Sequence, residues 1–436
     1  MFKLVITFCI LLNGWKGFHL IHETNPTYTD PTYTDPTYTD PTYTDISGNI
    51  PGKVLPDTLA PVEKKPPNTN YKAAFAGQTR IGGISTQTPY EAKILTDKLR
   101  SPWAIAVLPD GRFLINQKFG DMRIVNNKGA LSEPITGLPA VNPSDQGGLL
   151  GLALDPDFDK NRIVYWAFSE NHGEENVTAV AKGKLSNDEK TMENISVIYR
   201  ATPIYKGTIH YGGRLLFDKA GNLFLTTGER AHLQTRHQAQ QLNSGLGKVI
   251  RITSEGKAAS GNPFAGSKNA EDREEIYSYG HRNVQGIAIH PVSGDLWEHE
   301  FGPKGGDELN LIRPGSNYGW PIITYGTEYS GRKIGDSIQQ KEGMVQPVYY
   351  WDPVVSPSGM TFYTGTNMPE WKNNLFISCL GGQQVVRLSI DNNRVTGEER
   401  LLEKEGQRFR DIVQGPDGAL YTITDQGRFY RIGKKD

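Results

Sequence analysis

Phe217-Asp-Lys-Ala-Gly-Asn-Leu-Phe-Leu225 is a tight turn that runs straight into an apolar strand. Asp218, Gly221 and Asn222 are turn formers, and Leu223 to Leu225 is the β-prone run that follows. The unit returns at Leu108-Pro-Asp-Gly-Arg-Phe-Leu-Ile115, Leu154-Asp-Pro-Asp-Phe-Asp-Lys-Asn-Arg-Ile-Val-Tyr165, Ile289-His-Pro-Val-Ser-Gly-Asp-Leu-Trp297, Pro369-Glu-Trp-Lys-Asn-Asn-Leu-Phe-Ile377 and Gly415-Pro-Asp-Gly-Ala-Leu-Tyr-Thr-Ile423. The spacings are uneven, about 45 to 80 residues, and exceed what a four-stranded blade needs, so the middle units carry loop insertions. Helical periodicity is scarce outside Arg236 to Leu242. The economical architecture is all-β, a six-bladed β-propeller whose ring closure protects strand edges and leaves a funnel at the axis. A β-sandwich with coincidental Asp-Gly turns is the competing fold, and six recurrences weigh against it.

The 436 residues, 37% apolar and 22% charged, are ample for a large core. Lys plus Arg (47) almost balances Asp plus Glu (48), giving a net charge of -1. That balance makes no electrostatic case for nucleic acid or an anionic membrane surface, and favours a small neutral partner. Gly147-Gly148 and Gly212-Gly213 lack the spacing of a phosphate loop.

Residues 1–20 read as a signal peptide, with Lys3 ahead of the apolar run Leu4 to Leu12, too short to span a bilayer. Cys9 lies in that run; Phe8 before it fits a lipobox poorly, so cleavage is expected over lipidation. Export to the periplasm or the medium leaves Cys379 without a disulfide partner. Residues 21–73 read as a disordered tether, because Pro-Thr-Tyr-Thr-Asp occurs four times from Pro26 to Asp45 and Pro-rich sequence continues to Pro67. The propeller domain is then expected over 74–436.

Chemistry-bearing residues concentrate in Tyr279-Gly-His-Arg-Asn-Val-Gln-Gly286, Glu300-Phe-Gly-Pro-Lys-Gly-Gly-Asp-Glu-Leu-Asn310 and Asn317-Tyr-Gly-Trp-Pro321. Cations, amides and carboxylates set among turn glycines make a polar pocket for a small ligand. Together with Gln146-Gly-Gly-Leu-Leu-Gly151, His210-Tyr-Gly-Gly-Arg-Leu215 and Arg408-Phe-Arg-Asp-Ile412, and in this order, they resemble the soluble quinoprotein aldose dehydrogenases of the glucose/sorbosone type, which use pyrroloquinoline quinone (PQQ) and calcium. The resemblance runs from about Pro102 to Ile432 and independently implies six blades.

It implies oxidation of an aldose at its anomeric hydroxyl to a lactone, with electrons passed to an external acceptor. His210 matches the proton acceptor, and neutral imidazole suits that role; a turn histidine satisfied by backbone is the competing reading. Some relatives carry an Asp just before this His, where Ile209 stands here. Arg282 and Asn283 match contacts to the cofactor and to the charge that develops on it, and Gln146 a cofactor-binding Gln, while His281 reads as packing. PQQ carries three carboxylates, and Arg408 and Arg410, two apart on an extended segment, point to one side and can grip one together; surface salt bridges are the alternative. The resemblance assigns catalytic calcium to the backbone carbonyls of Gly302 and Pro303, and a structural calcium to Glu308 and the Tyr318 backbone. A solvated acidic turn is the other reading of Asp307-Glu308.

One departure stands out. Many relatives place a quinone-contacting Lys where Ser378-Cys-Leu-Gly381 puts Gly381, and Lys304 and Arg387 are candidates to replace it. Two other functions compete with the dehydrogenase: a noncatalytic propeller that binds glycan or protein, and a calcium-dependent lactone hydrolase, for which only Asn283 and Glu308 offer axial ligands. The particular sugar, the acceptor and dimerisation are not legible.

Overall fold

The computed structural model describes residues 59–435. Their strands form six antiparallel sheets, five of four strands and one of three. The innermost strands are Pro102–Val107, Leu149–Leu154, Gly212–Phe217, Val284–Ile289, Pro357–Phe362 and Phe409–Gln414. Each touches the innermost strand of the next sheet, and the last touches the first. The sheets are therefore blades 1 to 6 of a closed six-bladed β-propeller, as the repeats predict.

Every turn-plus-strand unit joins the first and second strands of one blade. In blade 3 the Asp218 carboxylate accepts from the Ala220 and Asn222 N–H groups, and Gly221 holds φ +79°, a conformation glycine adopts without strain. The ring is sealed by Tyr90–Thr96, which lies antiparallel on the outer edge of blade 6 against Phe429–Lys434, with Ala92 opposite Ile432. Joining the start of the domain to its end leaves no long unpaired edge at the seam. Between blades the core is aliphatic and aromatic; its largest cluster carries Trp103, Leu150, Trp166, Tyr211 and Leu225 across blades 1 to 3.

The expected signal peptide, Cys9 and the tether as far as residue 58 lie outside the described residues. The expected start of the folded domain at residue 74 is too late. The Asp352 carboxylate takes the backbone N–H groups of Asn68 (2.8 Å) and Thr69 (3.0 Å), and Glu63 pairs with Arg400 at 2.8 Å. Proline-rich composition concealed these anchors, since few apolar residues are involved. Cys379 is a free, buried thiol of blade 5. Among the described residues no helix is long and apolar enough to cross a membrane.

Candidate active site at the entrances of the innermost strands

Gln146, His210, Arg282-Asn283 and Arg408 each stand just ahead of an innermost strand, so the ring itself brings them to one end of the propeller. Hydrogen bonds then tie neighbouring blades. The His210 N–H donates to Gln146 Oε1 at 2.8 Å, and the Gly212 N–H donates to Asn283 Oδ1 at 3.0 Å. Gly228 is the hub: a Cβ there would fall 2.3 Å from the His210 carbonyl oxygen and 2.7 Å from Asn283 Oδ1. Only glycine lets these two loops close on each other.

His210 is 5% exposed and sits at φ +50°, a left-handed conformation that costs a residue with a side chain about 1 kcal/mol or more. Its neighbours hold it there. Arg230, fully buried, stacks on the Tyr211 ring at 4.0 Å and donates through Nε to the Ile209 carbonyl, while its backbone N–H donates to the His210 carbonyl. The imidazole Nδ1 lies 2.9 Å from Glu229 Oε1. A carboxylate only accepts, so Nδ1 carries the proton and the Nε2 lone pair faces away from Glu229 with no partner among the described residues.

Burial lowers the His210 pKa to about 4, helped by the Arg282 charge and opposed by Glu229. Burial works to raise the Glu229 carboxyl, but its bond to His210, the Arg282 charge and the Ala231 N–H together hold it below the ordinary range. The pair is thus a neutral imidazole oriented by an anion. Glu229 also donates its backbone N–H to the Arg282 carbonyl at 3.0 Å, locking the pair to blade 4.

Arg282 donates through Nη1 to the carbonyls of Phe301 (3.0 Å) and Gly302 (2.7 Å) and lies over the Trp320 ring at 5.1 Å. Its Nε and Asn283 Nδ2 are buried donors without a partner. Arg408 and Arg410 do point to one side, and in this structure both grip Asp425, at 2.9 and 2.8 Å. Of the proposed replacements for a cation at Gly381, Arg387 is buried against Glu399, Glu370 and Asn374 in blade 5, and Lys304 is exposed with its backbone bonded to Thr327.

The Gly302 N–H donates to Asp307 Oδ1 at 2.8 Å, and Asp307 Oδ2 takes the Val355 and Ser356 N–H groups, so one carboxylate shapes the Gly302-Pro303 loop. Burial pushes Asp307 up to about 7 against those three donors. Glu308 faces a separate cluster. Its Oε2 lies 3.5 Å from Asn310 Nδ2, which also donates to Glu298 at 2.8 Å, and candidate ligand atoms of His281, Glu298 and Glu300 lie within 4.8 Å of one another. The Tyr318 ring stacks on His281 with centroids 4.8 Å apart. Burial and the Glu300 charge drive Glu298 and Glu308 well above the usual carboxylate range, and Glu298 Oε2 and Asn310 Oδ1 are left without partners.

The model of the family described as glucose / sorbosone dehydrogenase matches residues 99–431. The chain belongs to that family. Aldose sugar dehydrogenase YliI of Escherichia coli (strain K12) is 41% identical over 337 residues, which cover 77% of this chain and 90% of the relative. Quinoprotein glucose dehydrogenase B of Acinetobacter calcoaceticus is 27% identical over 77% of this chain and 85% of its own. Among solved structures, the soluble aldose sugar dehydrogenase of Escherichia coli in its apo-form superposes with a TM-score of 0.76 at 39% identity, covering 79% of this chain and all of that one. The PQQ-bound form of aldose sugar dehydrogenase from Streptomyces coelicolor superposes with a TM-score of 0.65 at 29% identity, over 80% of this chain and 99% of that one.

One residue of this family member's site escaped the sequence reading. Ile209 before the histidine offers no carboxylate from that neighbour, and Glu229, two residues beyond Leu223–Thr227, supplies one instead. The signal was there, a Gly-Glu-Arg run directly after a strand, but its pairing with His210 depends on blade closure.

Proposed function

We propose that the protein is a PQQ-dependent aldose dehydrogenase that converts the anomeric CH–OH of a sugar to a lactone and passes two electrons to an external acceptor. One observation carries this: a buried histidine, neutral at physiological pH, with Nδ1 committed to Glu229 and Nε2 unengaged, placed by shared hydrogen bonds beside Arg282 and Asn283. His210 Nε2 takes the hydroxyl proton, and Glu229 steadies the imidazolium that results. When bound, the quinone supplies the hydride acceptor that no amino acid provides.

The residues fit such a group. Arg282 Nε and Asn283 Nδ2 are buried donors lacking acceptors, and a cofactor rich in carbonyl and carboxylate oxygens satisfies them. Gln146 spends its carbonyl on His210 and keeps its amide N–H groups for a ligand, and Arg408 and Arg410 each retain donors beyond those given to Asp425.

Calcium has two expected places. The cluster of Glu298, Glu300, Glu308 and Asn310 offers hard oxygens, two of them unsatisfied, which is the donor set a structural calcium takes near Glu308 and Tyr318. The Gly302 carbonyl accepts from the Arg282 guanidinium at 2.7 Å, so a calcium held by the Gly302 and Pro303 carbonyls would share that oxygen with a cation. The apolar run Leu4 to Leu12 behind Lys3 supports export.

The test is dye reduction by purified protein mixed with PQQ and calcium. Reduction is expected only when an aldose is added. Quinone uptake without turnover would select a binding propeller, and lactone hydrolysis without quinone a hydrolase.

A further inference from the structure

Lys118 follows Phe113–Gln117 in the turn between the second and third strands of blade 1. Its backbone carbonyl accepts from the Leu149 N–H at 3.0 Å, and its Nζ donates to the Asp145 carbonyl at 2.5 Å. The stem lies along the Gln146-Gly147-Gly148 turn: a Cβ on Gly148 would sit 2.7 Å from Lys118 Cγ. The side chain thus runs beside a residue of the proposed cofactor site. The ammonium also feels the charges of Arg410, Asp145 and Asp425, which places it on the Arg408-Arg410 side of the funnel.

What sets Lys118 apart is how the other cations are occupied. Arg282 donates to two carbonyls, and Arg408 and Arg410 share the Asp425 carboxylate, so those two arginines and the aspartate net a single positive charge. The Lys118 ammonium forms no ion pair among the described residues; its one hydrogen bond is to a neutral carbonyl, with the Phe119 ring 5.9 Å away. The corresponding turn of blade 5, between Leu375–Cys379 and Gln384–Asp391, carries Gly381, packed toward Ser356, and offers no charge. A ligand with three carboxylates entering this end meets too few free cations unless Lys118 takes part.

We infer that Lys118 binds a carboxylate of the quinone cofactor, supplying from blade 1 the cation that blade 5 lacks at Gly381. This rests on the quinone reading above. The ammonium then exchanges one neutral acceptor for a charged one, a charge-assisted contact in a partly buried place.

The test is titration of calcium-supplemented protein with PQQ, followed by absorbance, at low and high salt. Lys118→Met keeps the stem against Gly148 and removes the charge; its dissociation constant is expected to rise about tenfold or more, with a shallower salt dependence. Lys118→Arg should stay within about threefold of the parent, and Gly381→Lys added to Lys118→Met should recover a good part of the loss. Thermal melting without quinone should be the same for parent and Lys118→Met. Equal quinone affinity and salt dependence in parent and Lys118→Met would overturn the inference while leaving the functional reading intact. A parent that takes up no quinone at all would overturn both.

Discussion

Blades 3 and 4 each hold a buried histidine whose Nδ1 meets a glutamate 19 residues further on: His210 with Glu229, and His281 with Glu300. The first histidine precedes an innermost strand, the second lies three residues ahead of one, and both acids end a second strand or follow it directly. The far nitrogen separates them. His281 Nε2 is bonded to Ser278 Oγ at 2.8 Å and its ring is covered by Tyr318, whereas His210 Nε2 has no partner. An oriented imidazole is therefore repeated by the fold. On the proposed function, it serves as a base only where the second nitrogen is left for a substrate.

The strongest way to break this contrast is to exchange the histidines' fates. His210→Gln should lower aldose-dependent turnover of the PQQ- and calcium-loaded protein by about 10² to 10⁴-fold, with the circular dichroism spectrum and melting unchanged. Its pH signature is distinctive. Since burial and Arg282 bring the folded pKa from 6.5 to about 4, kcat/KM should hold level through mildly acidic pH and fall only near 4. The same shift costs stability in acid: His210 favours the folded state above its unfolded pKa, and that contribution drains away as pH falls through 6.5 toward 4. An acidic limb near 6.5 would show that the imidazole is solvated and the contrast with His281 is false.

His281→Ala should act on the fold instead. Removing this ring strands Ser278, Glu300 and the Tyr318 face in a fully buried place and is expected to cost about 3 kcal/mol in chemical denaturation. Residual turnover per folded molecule should fall far less than with His210→Gln. A smaller loss, about 1 to 2 kcal/mol, is expected when residues 1–73 are deleted, because Asn68 and Thr69 leave the Asp352 carboxylate without their N–H donors; deletion of 1–58 should leave melting unchanged.

The fold was legible because turn chemistry is local. Asp218 and Gly221 announce their turn from within five residues, and six such turns count the blades. His210, Arg282 and Asn283 were picked out by motif; the structure brings His210 and Asn283 to Gly228 and ties Arg282 to Glu229. Glu229 was not, because its partnership is set by how blade 3 closes on its own entrance loop. The Arg408-Arg410 pair was half legible: spacing gave the shared direction, but Asp425, 15 and 17 residues on, enters only through strand pairing. The anchoring of residues 59–73 was hidden for a related reason, since a few hydrogen bonds to a distant aspartate leave no periodicity in sequence.

The finest test of the two blades lies in the extra acid beside His281. Blade 3 gives its histidine one glutamate; blade 4 adds Glu298, whose Oε1 is 3.6 Å from His281 Nδ1 and whose Oε2 has no partner. Full burial and the neighbouring Glu300 charge disfavour a second anion there, so an amide can replace the acid at little cost. Glu298→Gln should change calcium-free stability by no more than about 0.5 kcal/mol. What it should remove is response. If the cluster exists to take a divalent ion, calcium will raise the melting temperature of the parent and do so less for Glu298→Gln, with the His210 acid limb unmoved in both. Equal calcium shifts in parent and variant would mean that Glu298 is no part of a cation site, and that blades 3 and 4 differ only in the fate of one ring nitrogen.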